Sequence, residues 1–131
     1  MSENLSGFRM PGEWEKQKSV WIAWPYNKND WPGLYKFIPE VILEIIYKIS
    51  NHQKVNLIIN NKIESTKKIF KSSKIKNVSF HKIKTDRIWL RDSGPIFLTN
   101  RKYKKKILLN FVFNGWAKYK NYKNDNKLND K

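Results

Sequence analysis

Residues 38–60 read IPEVILEIIYKISNHQKVNLIIN, and the change of period inside this stretch decides the class of fold. Ile38, Val41, Ile42, Ile45, Ile46 and Ile49 recur at intervals of three and four, the spacing of one helix face. Glu40, Glu44 and Lys48 form a polar stripe on the other face with an i,i+4 Glu-to-Lys pair. Pro39 stands in the first turn, where its missing N–H costs nothing. Residues 54–60 then read as a short strand with a buried centre. A helix that hands over to a strand within a few residues predicts an α/β chain.

The pattern continues on both sides. Residues 8–33 hold four of the six tryptophans (Trp14, Trp21, Trp24, Trp31) and three prolines (Pro11, Pro25, Pro32), with a strand expected over 18–24 and stopped by Pro25. Downstream, 64–71 reads as a very basic helix and 77–83 as a strand. Residues 86–95 read as a loop, and 96–99 and 107–113 as antiparallel strands joined by the basic turn 100–106. Beyond Asn114 the apolar pattern stops. Residues 101–131 hold ten cations and two acids, a net of +8 and half the whole charge. The expected division is a domain over 1–116 and a basic, Lys/Asn-rich, poorly packed tail over 117–131. The most aromatic segment lies at the N-terminus, and nothing covers the last strand, so the domain is expected to need further elements.

At 131 residues there is room for one ordinary domain. Apolar residues make up 40 % and aromatics 15 %, enough to exclude compositional disorder. The chain has no cysteine and two histidines, His52 and His81. That excludes a disulfide framework, a Cys-ligated zinc site, an iron–sulfur cluster and any thiolate nucleophile from these residues, and argues against a His-rich metal centre. No apolar run reaches the roughly 18 to 20 residues that cross a bilayer. Met1 to Phe8 lack a basic segment followed by an apolar core, so a cytoplasmic location is expected. The formal charge is +16. Of 27 cations only four are Arg (Arg9, Arg87, Arg91, Arg101), whereas bidentate phosphate or guanine recognition favours Arg. With 15 Asn and 15 Ile, the Lys excess also has the form that an AT-rich coding bias produces. A basic nucleic-acid-binding module is the alternative that the charge leaves open.

The loop holds the residues with chemistry to offer. Asp92 follows Arg91, precedes Ser93-Gly94-Pro95, and has Trp89 three residues before it. A carboxylate on a Gly-Pro turn beside an indole suits a planar cation such as guanidinium: two oxygens accept parallel N–H bonds while a ring covers a face. The same residues also read as a turn cap or an Asp92–Arg91 pair, with Trp89 in the core.

Four segments in order, Gly7–Glu15, Val20–Asn27 with Asp30–Gly33, Thr85–Pro95 and Asn110–Tyr119, resemble the N-terminal part of the agmatine deiminase family, related to bacterial-type peptidyl-arginine deiminases. The resemblance runs from about residue 7 to residue 124. It implies a pentein fold, an α/β propeller of five repeats, of which this chain would be the first one and a half to two. It also implies hydrolysis of the agmatine guanidinium to N-carbamoylputrescine and ammonia, in polyamine biosynthesis, without metal or organic cofactor. Peptidyl-arginine is the alternative substrate. Asp92 matches the aspartate that binds the guanidinium, and Trp89 the active-site tryptophan of the same W-x-R-D motif. Arg91 is expected to hold the loop. Trp24, Asn27, Asn114 and Trp116 lie in matching motifs near the expected channel mouth. The family's nucleophilic cysteine, its His-x-Asp segment and a later glutamate have no counterpart here, and a complete member is more than twice as long. His52 and His81 lie outside the motifs and are expected at the surface or in packing. The implied partners are therefore a guanidinium substrate and a companion chain with the missing repeats, and the chain alone is expected to be inactive.

Overall fold

The protein is described by a computed structural model over residues 5–61, 63–102 and 104–130. Strand β1 is Ser19–Ala23, helix α1 Ile38–Ser50, strand β2 Lys54–Ile59, helix α2 Ile63–Ser72 and strand β3 Val78–Lys82. A four-residue helix α3, Leu90–Ser93, lies inside the expected loop, followed by strands β4, Ile96–Asn100, and β5, Lys105–Leu109, and a short helix α4, Lys123–Asn126. β1, β2 and β3 form a parallel sheet in that order, with Ile22 opposite Leu57 and Leu57 opposite Phe80. β4 and β5 form a separate antiparallel hairpin.

The core forms where the two periods meet. Val55, Leu57 and Ile59 project from one face of β2 onto Ile46 of α1 and Phe70 of α2, and all five are buried. Val20, Ile22, Trp24, Val78 and Phe80 extend this layer across the sheet. On the opposite face Ile58 and Ala23 are buried, and the buried Asn56 donates from Nδ2 to Ser19 Oγ at 3.0 Å and bonds His81 Nε2 at 3.2 Å. His81 also packs against Trp21 at 4.7 Å, whereas His52 is exposed just past α1. A central parallel strand buried on both faces explains why VNLII reads as a continuous run.

β5 lies earlier than expected, over 105–109 rather than 107–113. Its register ends with Leu109 opposite Ile96, and the residue before Ile96 is Pro95, which has no N–H to continue the ladder. Gly94 precedes it because a Cβ there would lie 2.4 Å from the carbonyl oxygen of Leu90. The other edge of β4 is taken by Arg9, which exchanges two backbone hydrogen bonds with Thr99 at 3.0 and 2.9 Å. Arg9 is fixed in turn by a bidentate pair with Glu15, and Glu15 also accepts from Gly12 N and Arg101. These donors hold the Glu15 carboxyl near 2.

The segment after Ala117 is not the poorly packed tail that its composition predicts. Asp125 is 2 % exposed, and its Oδ1 accepts the backbone N–H groups of Asp86 and Arg87 at 2.7 and 3.3 Å. Asn126 Oδ1 accepts from Phe113 N, Asn124 donates twice to the Asp86 carboxylate, and Asn129 donates to Ser93 O. Short polar side chains that bond backbone groups can pack a segment that apolar periodicity cannot detect. No helix among the described residues is long and apolar enough to cross a membrane.

Two predictions follow from this packing. Ile46→Ala, at a fully buried site between α1 and β2, should lower stability by roughly 2–5 kcal/mol in denaturant titration. Burial pushes the Asp125 carboxyl up to about 6 from an ordinary 3.8, against the lowering effect of its two N–H donors. A raised acid favours folding in its protonated form, so this contribution is complete below its unfolded value and is lost as pH rises through its folded value. Melting temperature should therefore fall between roughly pH 4 and 7 by the equivalent of about 1–3 kcal/mol. Asp125→Asn, which keeps the acceptor and removes the titration, should flatten that slope.

Candidate functional site

The segment from Thr85 to Pro95 leaves the C-terminal end of the parallel sheet and is tied down from three sides. Thr85 is buried, and its carbonyl oxygen accepts from Tyr26 Oη and from Asn60 Nδ2, the latter at 2.9 Å. The bonds from Asp125 and Asn124 hold Asp86 and Arg87 on the C-terminal side. The third tie is the Arg87 side chain. Its guanidinium pairs with the Asp30 carboxylate and donates to Asn121 Oδ1 at 2.9 Å. It also lies 4.9 Å from the Trp89 ring centroid and 4.5 Å from that of Tyr119. Both charged side chains are buried, that of Asp30 almost completely.

α3 begins just after Trp89 and closes with Ser93 Oγ donating to Trp89 O at 3.1 Å and Gly94 N to Leu90 O at 2.8 Å. This single turn carries Asp92 on its outer side. The Asp92 carboxylate is exposed and forms no hydrogen bond or ion pair with the described residues. Arg91 does not pair with it through a hydrogen bond. It reaches outward to Glu13 at 2.6 Å, with both side chains largely exposed. An exposed pair of this kind contributes little, so the holding role expected of Arg91 falls to Arg87, four residues earlier.

Trp89 stands in an aromatic cluster, with Trp116 at 4.8 Å and Tyr119 at 5.5 Å, and Trp116 meets Phe113 edge-on at 5.2 Å. Trp116 reaches that position through three consecutive positive φ angles, at Gly115, Trp116 and Ala117. Asn114 supports the turn by accepting from Ala117 N at 3.3 Å. Left-handed backbone at a tryptophan and an alanine costs energy and persists only where surrounding contacts impose it.

The structure brings Trp89 and Trp116 into contact and places Asp92 on the same loop. Asn114 acts as the cap of the Trp116 turn. Asn27 caps the 3-10 turn before Trp31 through Asn29 N at 3.1 Å and donates to Asp30 Oδ1 at 3.3 Å, so it touches the site through Asp30. Trp24 faces the other way, packed edge-on against Phe70 at 5.6 Å in the helix-side core. Sequence reading missed Arg87, Asp30, Tyr119 and Asn121. One available signal was that Arg87 is among four arginines in a chain otherwise supplied with lysine, and a buried, stacked ion pair favours Arg. Among the described residues no group of three or more His, Asp or Glu is placed to hold a metal ion. Ser93, the hydroxyl next to Asp92, is buried and engaged with Trp89 O, so the loop offers an acceptor for a cation but no free nucleophile.

A family described as Porphyromonas-type peptidyl-arginine deiminase matches residues 9–131. A protein of Streptococcus mutans named "Putative agmatine deiminase" is 33 % identical over 113 residues, which is 85 % of this chain and 30 % of that protein. An X-ray structure bearing the same name superposes with a TM-score of 0.86 at 30 % identity, over 95 % of this chain and 36 % of that one. A cysteine-to-serine variant of C. jejuni agmatine deiminase with substrate bound gives a TM-score of 0.77 at 30 % identity, over 94 % of this chain and 35 % of that one. The chain thus spans about a third of the length of the relatives it matches. The family match spans residues 9–131, which include the loop and the segment after Ala117, and the chain belongs to the Porphyromonas-type peptidyl-arginine deiminase family.

Proposed function

We propose that the chain supplies the guanidinium-holding part of an agmatine deiminase, as the first one and a half to two repeats of a five-bladed pentein propeller in the cytoplasm. The observation that carries this reading is the Asp92 carboxylate, exposed and unpaired among the described residues, on a loop whose other charged groups are already engaged. A carboxylate in that position accepts two parallel N–H bonds from the substrate and sets the angle at which its central carbon is attacked. Its charge attracts the guanidinium before and during the addition alike, so it contributes positioning more than selective stabilisation of the transition state. Trp89, in contact with Trp116, offers the ring face.

The reaction replaces a C–N bond by a C–O bond: agmatine and water give N-carbamoylputrescine and ammonia. The resemblance implies a cysteine thiolate that adds to the guanidinium carbon and a histidine that moves protons. These 131 residues contain no cysteine, and His81 is engaged with Asn56 and Trp21 on the sheet. Nucleophile and base therefore come from sequence outside these residues, in continuation or in a companion chain, and this chain alone turns over no agmatine. Asn27 and Asn114, as turn caps, shape the mouth of the site rather than bind the amine end. A peptidyl-arginine substrate keeps the same chemistry. The names of the relatives at 27–33 % identity favour agmatine.

In the complete catalyst, measured as ammonia and N-carbamoylputrescine release, Asp92→Asn should lower kcat/KM by roughly 100-fold or more. Its melting temperature should stay within about 2 °C, because the carboxylate holds no other group. An unchanged kcat/KM rejects Asp92 as the clamp. A peptidyl-arginine substrate turned over in preference to agmatine would select the alternative.

A further inference from the structure

The best-defined cation site among the described residues is occupied by the protein itself. The Arg87 guanidinium lies against Trp89 and Tyr119, at 4.9 and 4.5 Å from their centroids, with the Asp30 carboxylate on one side and Asn121 Oδ1 on another. This is the set of contacts that would recognise a free alkylguanidinium: two adjoining rings for its cationic surface, a buried carboxylate for its charge and an amide oxygen for a further N–H. The fit is incomplete, since Arg87 Nε and Asp30 Oδ2 are both buried without a hydrogen-bond partner. The backbone connection of Arg87 fixes the orientation of its guanidinium. A free guanidinium, without that constraint, can turn to bond both Asp30 oxygens.

We propose that Asp30, Asn121, Trp89 and Tyr119 form a guanidinium receptor whose resident ligand is Arg87, and that this occupancy positions the Trp89 indole and keeps Asp30 from competing with Asp92 for substrate. The second role rests on the deiminase reading; the receptor itself does not. Asp30 is a buried carboxylate about one side chain away from the indole that faces the substrate. Without a resident cation it would draw the substrate guanidinium to the wrong carboxylate. Arg87 fills the receptor through a bond to the same loop, so the filling is permanent, and the indole that it touches is held at one angle. Lysine would supply the charge and N–H donors, but all from one nitrogen and with no flat surface to lie against the two adjoining rings.

The test is chemical rescue of the full chain carrying Arg87→Ala, read by thermal unfolding and tryptophan emission. Methylguanidinium is added at roughly 20 mM, far below denaturing concentrations, with methylammonium at equal ionic strength as control. The variant should melt roughly 10 °C below the parent. Methylguanidinium should restore at least half of that loss saturably and reverse the emission shift, methylammonium should do neither, and any gain in melting temperature of the parent with methylguanidinium should be well below that of the variant. An Arg87→Ala protein as stable as the parent, or one rescued equally by both cations or by neither, overturns the receptor. If Arg87→Ala does not fold, Arg87→Lys decides. It should fold, melt below the parent and show red-shifted emission, whereas identity with the parent in both measurements overturns the proposal. No arm uses agmatine or Asp92, so failure here and failure of the deiminase reading are separate results.

Discussion

β2 is buried on both faces, and this constraint organises the rest of the molecule. Val55, Leu57 and Ile59 require a cover on one side, which α1 and α2 provide. Asn56 and Ile58 are buried on the other, α3 packs against the neighbouring β1, and the segment leaving β3 is tied to Asn60 at the C-terminal end of β2. A parallel sheet cannot leave either face in water without exposing a continuous apolar run. The loop with Trp89 and Asp92 is thus anchored on the sheet through Thr85 and α3, which gives a surface loop a rigid base.

Placing that loop over the sheet buries backbone polar groups, and most of the polar side chains near it satisfy them. Tyr26 and Asn60 bond the Thr85 carbonyl, and Asp125 takes the N–H groups of Asp86 and Arg87. The cost falls on Asp125, whose burial makes its charged form unfavourable. Arg87 and Asp30 carry a larger one. Desolvating both charges is repaid only by close pairing and by the two rings, and removing either partner would leave the other buried and uncompensated.

The charge of the chain divides along the same line. Every lysine among the described residues is exposed, whereas Arg87 is 9 % exposed at the centre of the loop's support. The lysines set the net charge and solubility of the molecule. The buried positive charge at the candidate site is one arginine, neutralised locally by Asp30, and the cation that acts on Asp92 is its exposed neighbour Arg91.

Features that rest on local periodicity and covalent restriction can be read from the residues alone. The α1 helix follows from isoleucines at three and four, β2 from a continuous apolar run, the breaks from Pro25 and the Gly94-Pro95 pair, and the family from motifs of several residues in order. The placement of Asp92 close to Trp89 was legible for the same reason, because both stand on one short turn. Tertiary structure alone decided the identity of the arginine that holds the loop, the core position of Trp24, the end of β5 at Leu109 and the packing of residues 118–130. Each depends on a partner 13 or more residues away in sequence: Arg87 on Asp30, Trp24 on Phe70, Leu109 on a register that runs out at Pro95, and Asp125 on the amides of Asp86 and Arg87. Hydrogen bonds from Asn and Asp to distant backbone have no period, so a polar segment that packs through them looks the same in sequence as one that does not pack at all.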